Sequence, residues 1–124
     1  MSAARQTLGR LGERVAARWL RRRGWRVLAE RFRNGHRDLD LVVQREGTVA
    51  FVEVKTRRDD AFADPIESVS WRKRRELIRS AKVWSDRFGP PGAAYRFDVV
   101  GVIVVGRDAR IRHVENAFSL PPAG

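Results

Sequence analysis

The chain has 124 residues, of which 43% are hydrophobic and 33% charged, a composition typical of one folded domain. It contains no cysteine, which excludes disulfides, thiolate metal sites and cysteine nucleophiles. The net charge of +11 favours a polyanionic partner, with nucleic acid first and an anionic membrane surface second. The alternative is that arginine is simply frequent and keeps the protein in solution.

The start of the chain, residues 1–10, lacks the apolar segment of a signal peptide. The longest apolar run, residues 99–105, is too short for a membrane helix. We therefore expect a cytoplasmic protein with no membrane partner. A single domain is expected over residues 1–120, followed by a short tail at residues 121–124.

The spacing of hydrophobic residues changes between helical and strand periods along the chain. Gly24 ends the first predicted helix, and Asp64-Pro65 is typical of a helix start. The predicted elements, in chain order, are a helix over residues 4–23, a short strand over 25–29, a β-hairpin of strands 38–43 and 49–56, a helix from 64 to about 88, and strands over 95–105 and 110–114. This order predicts an α/β fold, with a mixed central sheet of about five strands flanked by helices.

The hairpin lies in an acidic part of a basic chain. Residues 36–64 carry seven acidic and five basic side chains, whereas residues 1–35 carry two acidic and ten basic ones. Strand alternation places Asp38 and Asp40 on one face of the first hairpin strand, and Leu39, Leu41 and Val43 on the other. On the second strand, one face is shared by Val49, Phe51, Glu53 and Lys55.

The length of the hairpin turn decides which of these side chains meet. A turn of two or four residues places Asp40 opposite Glu53 and Asp38 opposite Lys55, whereas a turn of odd length breaks this register. Two opposed carboxylates repel by roughly 1–3 kcal/mol, and a hard divalent cation offsets that repulsion best. The alternatives are a solvated polar face and, for Lys55, a simple salt bridge to Asp38.

Three other residues are candidates for special roles. Lys73 falls within the predicted buried stripe of the second helix, so its ammonium must reach solvent or meet an anion, either the acidic site or a phosphate. Asp98, in an otherwise apolar strand, is interpreted as structural. Among the four tryptophans, Trp71 is the one free to stack on nucleobases. The other members of the predicted buried stripe are Ile66, Val69, Leu77, Ala81, Trp84 and Phe88.

The pattern Asp40, then Glu53-Val54-Lys55, resembles the Asp…Glu-x-Lys motif of the restriction-endonuclease-like, or PD-(D/E)xK, nuclease superfamily. The chain resembles the YraN-like bacterial family more closely, over roughly residues 9–118. One departure is that the family usually has glycine and glutamate where this chain has Arg37 and Asp38. The matching segments are Gly12-Glu13, Ala16-Ala17 with Leu20, residues 38–42, residues 51–57, Lys73, residues 96–100 and residues 116–118.

The resemblance implies a restriction-endonuclease-like fold and a Mg²⁺- or Mn²⁺-dependent endonuclease. Its expected substrates are phosphodiester bonds of DNA, in branched, repair or recombination structures. Asp40 and Glu53 would hold the metal, and Lys55 would orient the attacking water or stabilise the phosphorus centre. Glu13 would be an extra metal-associated residue, because archaeal Holliday-junction resolvases of the superfamily place such a glutamate on the first helix.

The remaining expectations concern accessory groups and partners. Asp38 and Lys73 are expected to be accessory to the site, and cutting two strands at once would favour a homodimer. The competing readings are a binding module of the same fold that no longer cleaves, and an RNA-associated basic protein without a metal site. The residues expected to bind nucleic acid are Arg10, Arg14, Arg18, Arg57, Arg58 and Arg72.

Overall fold

The computed structural model describes residues 3–35, 37–58 and 69–118. The expected α/β class is confirmed, with five strands and two helices in the described chain. In chain order, the elements are α1 (Ala3–Arg22), β1 (Arg26–Asn34), β2 (Arg37–Arg45), β3 (Thr48–Arg58), α2 (Trp71–Phe88), β4 (Ala94–Val105) and β5 (Asp108–Phe118). Neither α1 nor α2 is long and apolar enough to cross a membrane, and no other helix is described.

The five strands form one mixed sheet in the order β1-β2-β3-β4-β5. The pair β3 and β4 is parallel and the other pairs are antiparallel, so the chain must cross over between β3 and β4, and α2 lies in that crossover. Helix α1 packs through Ala16 and Leu20 on one face of the sheet. Helix α2 packs through Leu77 and Trp84 on the other face. The sheet is therefore covered on both faces.

The turn of the β2–β3 hairpin has two residues, Glu46 and Gly47, with φ values of 49° and 78°. Two consecutive left-handed residues are the geometry that a tight hairpin turn requires. The pairs run from Arg45–Thr48 to Leu41–Val52, which confirms the register predicted from a turn of even length. The described pairing ends there, one position before Asp40 and Glu53.

One prediction about strand faces is wrong. Leu39 packs with Val42 in the layer under α2, whereas Leu41 and Val43 pack under α1. The pair Phe32–Leu39 lies next to Arg31, whose left-handed φ of 53° breaks the regular alternation of β1. Both side chains of that pair then pack on the α2 side.

The predicted extent of the second helix is also corrected, because residues 69 and 70 are not helical. Helix α2 begins at Trp71, because Ser70 is extended and its Oγ accepts the backbone N–H of Lys73 at 3.1 Å. The predicted start at Asp64-Pro65 and the stripe residue Ile66 lie outside the described residues. Val69 is buried but precedes the helix, and Phe88 is 58% exposed instead of buried.

Strands β1 and β5 both extend further than predicted. β1 is an edge strand, and its second half carries charged side chains such as Glu30 and Arg33. A search for alternating hydrophobic residues therefore misses this part of the strand. β5 continues to Phe118 across an irregularity at Asn116, a left-handed residue whose N–H is bound by Asp98.

Gly12 sets the distance between α1 and the sheet. A Cβ at this position would lie 2.8 Å from both Cβ and Cγ2 of Thr56 on β3, and closer still to its Oγ1. Only a residue without a side chain allows this approach. Since Glu13 follows directly, the same contact fixes where Glu13 stands over the sheet.

We expect Gly12→Ala to lower the free energy of unfolding by about 1–3 kcal/mol, because the added methyl group overpacks the α1–β3 contact. Gly9→Ala is the matched control, since no atom of the described residues lies within 4 Å of the position of its Cβ. That change should be neutral or stabilise the helix by up to about 1 kcal/mol. Urea unfolding of both variants tests the assignment. Equal effects of the two substitutions would contradict it.

Candidate active site

Asp40 and Glu53 bring two carboxyl groups together where the β2–β3 pairing ends. The backbone N–H of Val54 donates to Asp40 Oδ2 at 2.8 Å, so the Asp40 side chain replaces the missing backbone contact between the strands. Glu53 is 6% exposed, and its carboxyl group shares a hydrogen bond with that of Asp40. Burial raises the pKa of Asp40 well above its ordinary value, and the charge of Glu53 and their hydrogen bond raise it further.

The carboxyl pair has the chemistry of a divalent-cation site. Glu53 Oε2 is buried, and within the described ranges it has no hydrogen-bond partner. An unpaired buried carboxylate oxygen is costly, and a hard cation would both coordinate it and relieve the repulsion from Asp40. The two residues therefore fit Mg²⁺ or Mn²⁺. In the parts of the chain that the structure describes, no three His, Cys, Asp or Glu side chains stand close enough to hold a metal together.

Glu13 lies in the same cleft but is bound by a residue that the sequence did not single out. Arg31 Nε donates to Glu13 Oε2 at 3.2 Å. The pKa of Glu13 is raised, mainly because the carboxyl group is buried. The hydrogen bond from Arg31 lowers this pKa in part, and the charge of Asp40 raises it. Arg31 holds this position with a left-handed backbone, which is rare for arginine in a strand. Nothing in the local pattern of charged residues around position 31 could have predicted that contact.

Lys55 and Asp38 do not meet, so the predicted alternative of a salt bridge between them is wrong. Asp38 Oδ1 lies 3.9 Å from Arg33 Nε on β1, and Asp38 does not line the cleft. The β2–β3 pairing ends before the two residues would face each other. Lys55 lines the cleft with Asp40 and Glu53, and it makes no ion pair with any described residue.

Lys73 approaches this site from α2. It is half-buried, and its positive charge lowers the pKa of Asp40, against the larger effects that raise it. The sequence left two anions open for Lys73, the acidic site and a phosphate. In the structure, the charge of Lys73 acts on Asp40 of the acidic site.

The cleft has a volume of about 710 Å³ and runs between the first turns of α1 and the end of β3. Three carboxyl groups and four cationic side chains line it, together with small and apolar residues. This arrangement suits a phosphate group, which needs positive charge around it and a cation at the reacting oxygen. The cleft is lined by Arg5, Leu8, Gly9, Glu13, Asp40, Glu53, Lys55, Thr56, Arg57 and Arg58, among others.

The arginines expected to bind nucleic acid fall in different places. Arg57 and Arg58 line the cleft, and the charge of Arg10 acts on Glu13 beside it. Arg14 and Arg18 instead line a separate groove of about 640 Å³ between α1 and the β4–β5 turn.

Arg72 stands apart from both places. It is the second residue of α2, and its Nε lies 3.8 Å from Glu76 Oε1. The predicted basic residues therefore form more than one cationic surface.

Asp98 is structural, as predicted. It is fully buried and accepts two hydrogen bonds from Arg96 and one from the backbone N–H of Asn116. His113 Nε2 lies 2.7 Å from Asp98 Oδ2. Burial alone would raise the pKa of Asp98, but these contacts together lower it. The cluster fastens β5 to β4, so that Phe118 stacks on Phe97 at 4.8 Å.

A mixed five-stranded sheet with a helix on each face is consistent with a restriction-endonuclease-like fold. Residues 12–102 match the model of a family described as "Uncharacterised protein family UPF0102", and the chain belongs to that family. A "UPF0102 protein" of Alkaliphilus metalliredigens is 36% identical over 91% of this chain and 98% of its own length. Another from Nocardia farcinica is 40% identical, over 92% of this chain and 91% of its own.

Proposed function

We propose that this protein is a divalent-metal-dependent nuclease that hydrolyses phosphodiester bonds in nucleic acid, with DNA of branched or repair type as the expected substrate. The observation that carries the proposal is the carboxyl pair of Asp40 and Glu53 in a cleft that four cationic side chains also line. The Oε2 of Glu53 is buried and has no hydrogen-bond partner among the described residues. A purely structural acidic pair would be expected to have its buried oxygens satisfied by the protein.

Asp40 and Glu53 are the residues that would hold Mg²⁺ or Mn²⁺. When bound, the metal lowers the pKa of a water molecule and neutralises charge that develops on the phosphate. The Val54 N–H keeps one oxygen of Asp40 in place, so the carboxyl pair is positioned before any ligand binds. Because the pKa of Asp40 is raised, protons compete with a cation for this carboxyl group.

Lys55 supplies a point charge on the same strand face as Glu53. Its ammonium can orient the attacking water or stabilise the phosphate oxygens as the phosphorus becomes five-coordinate. Arg57 and Arg58 continue the same strand and would hold the flanking phosphates. Glu13 lines the same cleft but is paired with Arg31, and among the described residues it does not form a three-carboxylate cluster with Asp40 and Glu53.

A nuclease assay with a panel of branched and linear substrates tests the proposal. We expect cleavage with Mn²⁺ or Mg²⁺ and none after chelation, because the carboxyl pair cannot act on a phosphate without a cation. Calcium should support binding without efficient cleavage. If no substrate is cut with either metal although DNA binds, the catalytically silent binding module becomes the better assignment.

A further inference from the structure

Trp71 is the most exposed large hydrophobic side chain of the described residues, with 74% of its surface accessible. Trp25 and Trp84, by contrast, are buried in the core. An indole exposed to water does not contribute the burial of apolar surface that makes tryptophan stabilising in a core. Tryptophan is enriched at the surfaces with which proteins bind other molecules. Trp71 is the first residue of α2 and is not required to close the core.

The indole of Trp71 is held in place by an arginine that is itself fixed. The guanidinium carbon of Arg74 lies 4.6 Å from the centroid of the Trp71 ring and 5.3 Å from that of Phe118. Arg74 Nε also donates to the backbone oxygen of Val69 at 3.1 Å. A ring that is already oriented loses little entropy when a ligand stacks on it.

The surroundings of Trp71 are cationic, since residues 72–75 are four consecutive basic residues. Among them, Arg74 lies against the indole, and Arg72 and Arg75 are exposed beside it on α2. An oriented aromatic ring among positive charges is the arrangement with which proteins bind single-stranded nucleic acid.

We propose that Trp71, supported by Arg74, stacks on an unpaired nucleobase of the bound nucleic acid. This inference rests on the proposed function and names a substrate class for it: nucleic acid with a single-stranded segment. A base inside a duplex has both faces covered by its neighbours, whereas an unpaired base offers a face to the indole. The stacking is independent of base identity, because every base has a π face.

Affinity measurements in Ca²⁺ test this inference without requiring cleavage. We expect Trp71→Leu to weaken binding of a single-stranded oligonucleotide by about 5- to 150-fold, and to change binding of a blunt duplex of equal length less than about 2-fold. Trp71→Phe should retain most of the affinity. Phe88→Leu is the matched control, since Phe88 is an exposed aromatic residue at the other end of α2. That variant should bind like the wild type.

A 2-aminopurine in the single strand reports the stacking itself. Its fluorescence should be quenched by the wild type and by Trp71→Phe, and much less by Trp71→Leu. Equal losses for single strand and duplex, or unchanged affinity in every variant, would overturn the inference. A protein that never cleaves but shows these differences would overturn only the nuclease proposal.

Discussion

Glu53→Gln is expected to abolish cleavage while DNA affinity stays the same or rises slightly. Glutamine keeps the size of the side chain and one oxygen acceptor, but it removes a charge from the pair that would hold the cation. We expect the single-turnover rate at saturating protein to fall by at least about 1,000-fold. Affinity should not fall, because a negative charge near the bound phosphates has been removed.

The matched control is Glu46→Gln, which makes the same chemical change at the exposed turn of the same hairpin. It should leave rate and affinity unchanged. Lys55→Ala should stop cleavage and weaken binding modestly, as expected for the loss of one point charge. Cleavage by Glu53→Gln at the wild-type rate would show that the catalytic assignment is wrong.

Arg14→Ala and Arg18→Ala should have the opposite effect to Glu53→Gln, because they should change the affinity for nucleic acid and not the rate of cleavage. Both residues line a groove apart from the carboxyl pair. We expect lower affinity and a nearly unchanged rate at saturation, because phosphate contacts position the nucleic acid without touching the reacting groups. A lower saturated rate with unchanged affinity would contradict this division.

Divalent cations are expected to stabilise the wild-type protein and not Glu53→Gln. A ligand that binds only the folded state at ten times its Kd adds about 1.4 kcal/mol, which raises Tm by several degrees for a domain of this size. The carboxyl pair should give this increase with Mn²⁺ or Ca²⁺. In Glu53→Gln a single carboxylate of the pair is left, so the increase in Tm should largely disappear.

The pH dependence of the metal-free protein follows from the raised pKa of Asp40. The folded-state pKa of Asp40 lies above the ordinary value of 3.8. Asp40 therefore contributes most to the free energy of unfolding below pH 3.8. This contribution is lost as the pH rises through the raised folded-state pKa. Glu53→Gln removes the charge that adds to the effect of burial, so the variant should lose less stability over this range and should exceed the metal-free wild type in Tm near neutral pH.

Differential scanning fluorimetry from about pH 5 to 8, with and without Mn²⁺, measures both effects. Metal affinity of the wild type should increase with pH, since protons compete with the cation for Asp40, whose pKa is raised. An equal increase in Tm on adding metal to the wild type and to Glu53→Gln would contradict the assigned cation site.

The sequence by itself determined the class of fold and the register of the central hairpin. Helical and strand periods are local properties, and the even-length turn at Glu46-Gly47 fixes which residues face each other. For the same reason, the closeness of Asp40 and Glu53 could be predicted from spacing alone. The burial of Asp98 among apolar strand residues likewise indicated a structural role.

Contacts between elements distant in the chain were decided only by the tertiary structure. The pairing of Glu13 with Arg31 depends on a left-handed residue in an edge strand and on the close approach of Gly12 to Thr56. No local pattern encodes either contact. The start of α2 at Trp71 was hidden because hydrophobic periodicity continues through Val69, while the Ser70 cap depends on backbone geometry.

The distribution of the basic residues was also decided by the tertiary structure. The sequence placed Arg14, Arg18, Arg57 and Arg58 together among the residues expected to bind nucleic acid. In the packed structure, Arg14 and Arg18 line one groove, whereas Arg57 and Arg58 line the cleft with the carboxyl pair. Charge is a sum over the sequence, whereas a surface is defined by which side chains the packed elements leave exposed next to one another.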